Sequence, residues 1–377
     1  MKETLLFAGG GTGGHVFPML AVAAAVSREH PELELVFLGT PQGMERELVP
    51  QAGYRLILSD VLPIRGGGLP QAVRGAARAA RLLPEAFRLI RELKPRAVFS
   101  IGGYAAGPVC VAARARGVPL GLMEPNSVIG MANWLIARLC DRAYTAFPEP
   151  ERHFKQRKVL RAGVPIRDGF VPVPYQRQGA YKLLVLGGSQ GAQALNRALP
   201  EVVQALRARG RELRVVHQAG AGQAEELEAR YRALGQAGSV EVRPFITDMS
   251  AQLAWADLVV GRSGASAVSE VCAVGRASLL VPYPYAAGDH QRLNAESLVR
   301  SGAAELLAQA DATPARLTDA VDALLSEARL TALAAQAAER GRPDAATHIA
   351  RDFLALAGLA GARERSREPV PARLEVG

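Results

Sequence analysis

A chain of 377 residues is long for one hydrophobic core and predicts two or more domains. Its 49% hydrophobic and 21% charged residues are a globular composition, which excludes a disordered or low-complexity protein. The formal charge of +9, with Arg far outnumbering Lys, predicts an anionic partner; 5% aromatic residues without a stacking module argue against nucleic acid.

Residues 5–8 read as a buried first strand, broken at once by glycine and so too short for a signal peptide. Further strands are predicted at 33–38, 55–58, 97–101, 119–122 and 142–146, alternating with helical patterns at 15–28, 71–93, 104–116 and 130–139. That alternation predicts a parallel sheet covered on both faces. The stretch 163–175, rich in Pro and Gly, reads as a linker. Then the scheme restarts, with a strand at 181–186, a helix at 192–209 and strands at 213–217, 240–244, 258–260 and 278–281. The expected division is 1–163 for the first domain, 164–180 for the linker and 181–343 for the second domain. A helix at 344–360 returns to the first domain, and 361–377 is a charged, flexible tail. Cys110, Cys140 and Cys272 lack metal-ligand spacing and read as reduced core residues. No apolar run approaches the ~18–20 residues of a membrane span, so any membrane association is expected to be peripheral.

The chemistry concentrates at four strand-to-helix turns. Gly9-Gly10-Gly11-Thr12-Gly13-Gly14-His15 follows the first strand, and its glycines let the backbone turn tightly while amides at the helix start face a ligand. Taken alone it matches a dinucleotide fingerprint. The second strand, however, ends Val36-Phe37-Leu38-Gly39-Thr40, without the acid that would hold a ribose. Gly102-Gly103-Tyr104, Gly187-Gly188-Ser189-Gln190-Gly191 and Gly261-Arg262-Ser263-Gly264-Ala265-Ser266 repeat the arrangement. Strand carboxyl ends share one edge of a parallel sheet, so two sheets facing rim to rim would enclose a cleft lined by amides. His15 is the expected general base, since an imidazole titrates near pH 6.5 and a helix N-terminus keeps it neutral; Glu124 is the alternative. Glu270 is placed to accept ribose hydroxyls, and Gln291 and Asn294, three apart, share a helix face able to read sugar hydroxyls. No Asp-x-Asp pair follows a strand, so no metal is expected; helix N-termini and amides would meet a leaving diphosphate.

Gly10-Gly11-Thr12-Gly13-Gly14-His15-Val16-Phe17-Pro18, Gly102-Gly103-Tyr104, Gly187-Gly188-Ser189-Gln190-Gly191-Ala192 and Ser263-Gly264-Ala265 with Ser269-Glu270 resemble the MurG family of glycosyltransferases. The likeness runs to about residue 355. It implies an α/β protein of GT-B fold, two Rossmann-like parallel-sheet domains facing across a cleft. It also implies an inverting, metal-independent transfer, without a cofactor, of N-acetylglucosamine from UDP-N-acetylglucosamine (UDP-GlcNAc). The acceptor would be the C4 hydroxyl of the muramoyl sugar in undecaprenyl-pyrophosphoryl-N-acetylmuramoyl-pentapeptide (lipid I), giving lipid II and UDP. By residue match, Thr12, Gly13 and Gly14 line the donor sugar and Asn126 contacts its N-acetyl region. Arg167 and Ser189 approach the nucleotide and its phosphates, and Ile246 presents its backbone to uracil. Ala265, Ser266, Ala267, Val268, Ser269 and Glu270 hold the α-phosphate and ribose, while Gln291 and Asn294 read the sugar. Gly102, Gly103 and Tyr104 belong to the acceptor side.

Two stretches depart from the family pattern, which reads His-Glu-Gln-Asn at Met123-Glu124-Pro125-Asn126 and Gly-Asn-Pro at Gly163-Val164-Pro165. The resemblance further implies peripheral attachment to the anionic cytoplasmic face of the inner membrane through the first domain. Residues 65–94, where Arg74, Arg78, Arg81 and Arg88 interleave with Leu82, Leu83, Phe87 and Ile90, are the expected contact. Another GT-B lipid glycosyltransferase and a UDP-sugar epimerase are the alternatives.

Overall fold

The first strand, β1 (Thr4–Ala8), is buried at all its positions because helices cover both faces of its sheet. In the computed structural model residues 2–59, 69–103, 106–188 and 191–359 are described, residues 69–80 by their backbone alone. Tyr104, Ser189, Gln190, the side chains of Arg74 and Arg78, and the stretch 361–377 lie outside the described residues.

β1 is followed by β2 (Glu34–Gly39), β3 (Arg55–Leu58), β4 (Ala97–Ser100), β5 (Leu120–Glu124), β6 (Arg142–Thr145) and β7 (Val159–Arg161). All pair in parallel, in the order β3-β2-β1-β4-β5-β6-β7. The helices between them are α1 (Gly13–Glu29), α2 (Glu45–Gln51), α3 (Leu69–Leu93), α4 (Ala106–Ala115) and α5 (Met131–Ile136). The second sheet repeats the winding with β8 (Tyr181–Leu186), β9 (Leu213–Gln218), β10 (Val240–Arg243), β11 (Leu258–Gly261), β12 (Ala277–Leu280) and β13 (Glu305–Leu306), in the order β10-β9-β8-β11-β12-β13. Its helices are α6 (Gln193–Ala208), α7 (Ala224–Ala233), α8 (Met249–Trp255), α9 (Ala265–Val274), α10 (His290–Arg300), α11 (Pro314–Leu324) and α12 (Glu327–Arg340). In both sheets the strand order reverses at the first strand, so each has its crevice beside β1 or β8.

The last helix, α13 (Ala345–Leu356), crosses back to the first sheet. Phe353 meets Phe7 at 6.0 Å and Phe99 at 5.4 Å edge-on, and Ile349 and Leu354 join the same core as Met19 and Val22 of α1. Gly358, at φ +72°, ends the helix in the left-handed conformation that suits glycine after a C-cap. The linker belongs structurally to the second sheet's side. Ile166 and Phe170 are buried with Leu184 and Val259, and the Arg276 guanidinium donates to Val173 O at 2.7 Å and Ala254 O at 2.8 Å.

Candidate active site in the cleft

At the end of β1 the Gly9 N–H donates to Leu38 O at 3.2 Å, and the chain then turns through Gly10 and Gly11 into α1. The next glycine turn lies directly against it: a Cβ on Gly9 would come within 2.6 Å of Ile101 Cγ2 and 2.9 Å of Gly102 O. His15, half-buried on the first turn of α1, has Nδ1 at 3.2 Å from Gly10 O. A carbonyl can only accept, so Nδ1 carries the proton and Nε2 keeps its lone pair. No described residue hydrogen-bonds that Nε2. Burial lowers the imidazole's pKa, and His290 across the cleft adds to the effect; the Gly10 bond and Glu45 work against it.

Glu124, at the end of β5, faces a different task from the one its alternative role as base demands. One carboxylate oxygen accepts Asn126 N–H at 3.0 Å, and the other accepts Gly130 N–H at 2.9 Å and Asn133 Nδ2 at 2.8 Å. Burial pushes its pKa up and these donors pull it back. The side chain thus shapes the loop between β5 and α5 and points Asn126 towards the second sheet.

On the opposite wall, Gly264 leads into α9, whose first amides at Ala265, Ser266 and Ala267 have no helical acceptor. The buried Ser266 Oγ beside them has no partner among the described residues. Within the helix, Glu270 has a carboxyl pushed up to about 7 by burial, opposed by Arg167 at 3.6 Å. The Arg167 guanidinium lies 5.6 Å from the ring of Phe17 on α1 and 5.9 Å from that of Phe170, so this one side chain touches both walls. Val268 is buried and Ser269 half-buried on α9; Ile246 packs its side chain into the core, and its main chain makes no backbone hydrogen bond among the described residues.

Gln291 and Asn294 divide where the sequence pairs them. Gln291 Oε1 accepts Tyr283 N–H at 3.0 Å, and no described residue bonds its amide nitrogen. Asn294 is fully buried, and both its amide hydrogens are engaged. Its Oδ1 accepts Ser127 N–H at 2.8 Å, and its Nδ2 donates to Asn126 Oδ1 and Ser263 O, both at 3.2 Å. It clasps the two walls together and has no hydrogen left for a sugar.

The third glycine turn rests on residues that no sequence motif marks. A Cβ on Gly191 would collide with Ala219 O. Asn196 donates to Ala219 O at 2.8 Å and Gln223 Oε1 at 2.9 Å, which leaves its Oδ1 to accept from His217 Nε2 at 3.0 Å. His217 Nδ1 therefore accepts from Tyr231 Oη at 2.9 Å, and burial lowers this imidazole's pKa to about 3. Only burial, invisible in a lone His, distinguishes it. Among the described residues no group of three or more His, Cys, Asp or Glu is placed to hold a metal ion.

Two doubly wound parallel sheets with their carboxyl rims across a cleft define the GT-B class, which is built around nucleotide-sugar chemistry. The chain belongs to glycosyltransferase family 28: residues 5–145 match the family's N-terminal domain and residues 182–349 its C-terminal domain. It is 50% identical to a Sorangium cellulosum relative, over 94% of this chain and 88% of the other. That relative is named UDP-N-acetylglucosamine–N-acetylmuramyl-(pentapeptide) pyrophosphoryl-undecaprenol N-acetylglucosamine transferase. The crystal structure of Acinetobacter baumannii MurG superposes with a TM-score of 0.79 at 33% identity, covering 94% of this chain and 99% of that one. A UDP-N-acetylglucosamine 2-epimerase with a TM-score of 0.66 at 13% identity, covering 98% and 99%, shares the fold alone.

Proposed function

We infer that this chain moves N-acetylglucosamine from UDP-GlcNAc to the C4 hydroxyl of the muramoyl sugar in lipid I, releasing lipid II and UDP. The observation that carries the reading is one cleft with a free imidazole nitrogen on its first wall and a helix N-terminus beside a buried carboxylate on its second. His15 Nε2 takes the proton of the acceptor hydroxyl as that oxygen attacks the anomeric carbon. The bond from that carbon to the β-phosphate oxygen breaks, and its electron pair leaves with UDP. Attack opposite the leaving group inverts the anomeric centre. The free amides of α9, with the Ser266 hydroxyl, meet the phosphates, where the helix dipole favours negative charge. Glu270 accepts the ribose hydroxyls, Arg167 approaches the nucleotide and the Ile246 main chain faces uracil. The Gln291 amide nitrogen donates to the donor sugar, whose N-acetyl side meets Asn126. Thr12, Gly13 and Gly14 line the sugar, and Gly102 and Gly103 the acceptor.

Attachment to the anionic cytoplasmic leaflet is part of the same proposal, and α5 offers a surface for it besides the expected stretch 65–94, of which residues 65–68 and the side chains of 69–80 lie outside the described residues. On α3, Ala86 and Ile90 are buried against the sheet and Phe87 packs beside them. On α5, Met131, Trp134 and Leu135 are 71%, 56% and 64% exposed. Arg138 follows them, and Arg114 and Arg116 end the neighbouring α4, all three exposed. Apolar tips ringed by cations suit an acidic lipid surface. Among the described residues no helix is long and apolar enough to cross a membrane.

The test is transfer of labelled sugar from UDP-GlcNAc to lipid I by the purified chain. His15→Ala is expected to lower kcat about 100-fold or more, the range for a lost general base, with UDP affinity retained. Wild-type turnover in that variant would refute the base assignment, and an epimerised product formed without acceptor, with no labelled lipid when lipid I is present, would refute transfer.

A further inference from the structure

The reaction as derived leaves Glu45 without a part, yet its side chain is 1% exposed and its carboxylate is where the first turn is anchored. From the first residue of α2 it accepts Gly11 N–H at 2.8 Å on one oxygen. The other oxygen accepts Thr40 N–H at 2.8 Å and Thr40 Oγ1 at 2.9 Å. The surrounding chain is built to admit it: a Cβ on Gly10, Gly39 or Gly43 would lie under 3.0 Å from a Glu45 atom. Three glycines from two βα turns thus make room for one carboxylate.

We propose that Glu45 is a positioning residue for the transfer, holding the Gly10–Gly11 backbone so that the Gly10 carbonyl fixes the orientation and tautomer of His15. The inference rests on His15 being the base. Gly11, at φ +96°, has no side chain to restrain it, and the bond from its N–H to Glu45 supplies the restraint. With that bond in place the peptide between Gly10 and Gly11 cannot rotate, and its carbonyl stays 3.2 Å from His15 Nδ1. An imidazole released from the carbonyl divides between tautomers, and the one protonated at Nε2 cannot accept a proton. The ring also feels the surrounding charges. Burial lowers its pKa most and His290 of α10 adds to that, whereas the Gly10 bond and Glu45 of α2 raise it. Against α1, α9 contributes Glu270, paired with Arg167, and α13 contributes Arg351, paired with Glu29 at the far end of α1.

A glutamine at this position presents one oxygen and one amino group, so either Gly11 or Thr40 meets another donor. Glu45→Gln is expected to lower kcat about 10- to 100-fold, as displaced catalytic groups do, while UDP affinity, set on the other wall, is retained. The acidic limb of its kcat/KM profile should move to lower pH, because a charge that raises the His15 pKa is gone. Gly43→Ala keeps the charge but displaces the carboxylate, and should show the same fall in kcat; it also carries the test if Glu45→Gln fails to fold. In a His15→Ala background Glu45→Gln should cost nothing more, since both act through one group. Wild-type kcat in both Glu45→Gln and Gly43→Ala, or an undiminished cost in the His15→Ala background, overturns the proposal. Full activity of His15→Ala alone would instead bring down the base assignment, and the positioning role with it.

Discussion

Glu270 carries a proton-linked expectation of its own. Its carboxyl, raised to about 7 by burial against the pull of Arg167, holds a proton in the fold that it would lose near 4.5 when unfolded. The folded chain therefore binds more protons between those values, and this contribution to stability is lost as pH rises through about 7. Ribose hydroxyls donate, so they favour the ionised carboxylate, and UDP binding just below pH 7 should expel a proton. Calorimetry in two buffers of different ionisation enthalpy reads that release directly, and Glu270→Gln should abolish it. The same variant is expected to raise the donor KM about tenfold, the worth of a hydrogen bond to a charged group. Proton release that persists in Glu270→Gln would assign the linkage to another residue.

At the scale of elements, His217 links β9 to α6 and α7, and its burial gives those elements an acid sensitivity. Folded, it stays neutral to about pH 3; unfolded, it takes up a proton below about 6.5. The unfolded state binds the extra proton across that window, so stability is complete above 6.5 and falls as pH drops towards 3, by roughly 1 kcal/mol per unit. Denaturant unfolding at stepped pH should show His217→Gln less stable at pH 7 but with a flatter acid slope; equal slopes would show that the ring does not drive the loss. How much of this was readable beforehand varies with the element. Strands flanked by helices on both faces are near-continuous apolar runs, so the central β8 falls at the expected residues. The edge strands β7 and β13, with three and two residues, are too short to carry a pattern. The glycine turns were legible because a missing side chain is itself a signal. Glu45 was not, because in sequence it is an ordinary acid in the first turn of a short helix. Asn294 was visible as a polar residue near the cleft, but that its partners are Ser127 and Asn126 is a fact of two sheets meeting.

For the whole molecule, the exposed face of α5 and the basic residues beside it predict where the chain meets lipid. Replacing Met131, Trp134 and Leu135 together by Ser removes side chains each worth about 1.5–3 kcal/mol when fully buried. Binding to vesicles containing anionic lipid should fall at least about tenfold, since 1.4 kcal/mol is a tenfold change. Transfer to a water-soluble acceptor should be unchanged. Undiminished vesicle binding would move the contact elsewhere on the surface.

The return of α13 to the first sheet has a mechanical consequence. The chain passes between the two halves twice, once after Gly163 and once before Ala345, and the two passages touch: a Cβ on Gly163 would lie 2.6 Å from the Cβ of Arg342. A single tether would let one half swivel about any direction. Two strands fastened side by side behave as the spine of a book, free to open about one line and stiff against twist. Rotation about that spine parts the two walls, and the amide of Asn294, bonded to Ser127 and Asn126 across them, acts as the catch.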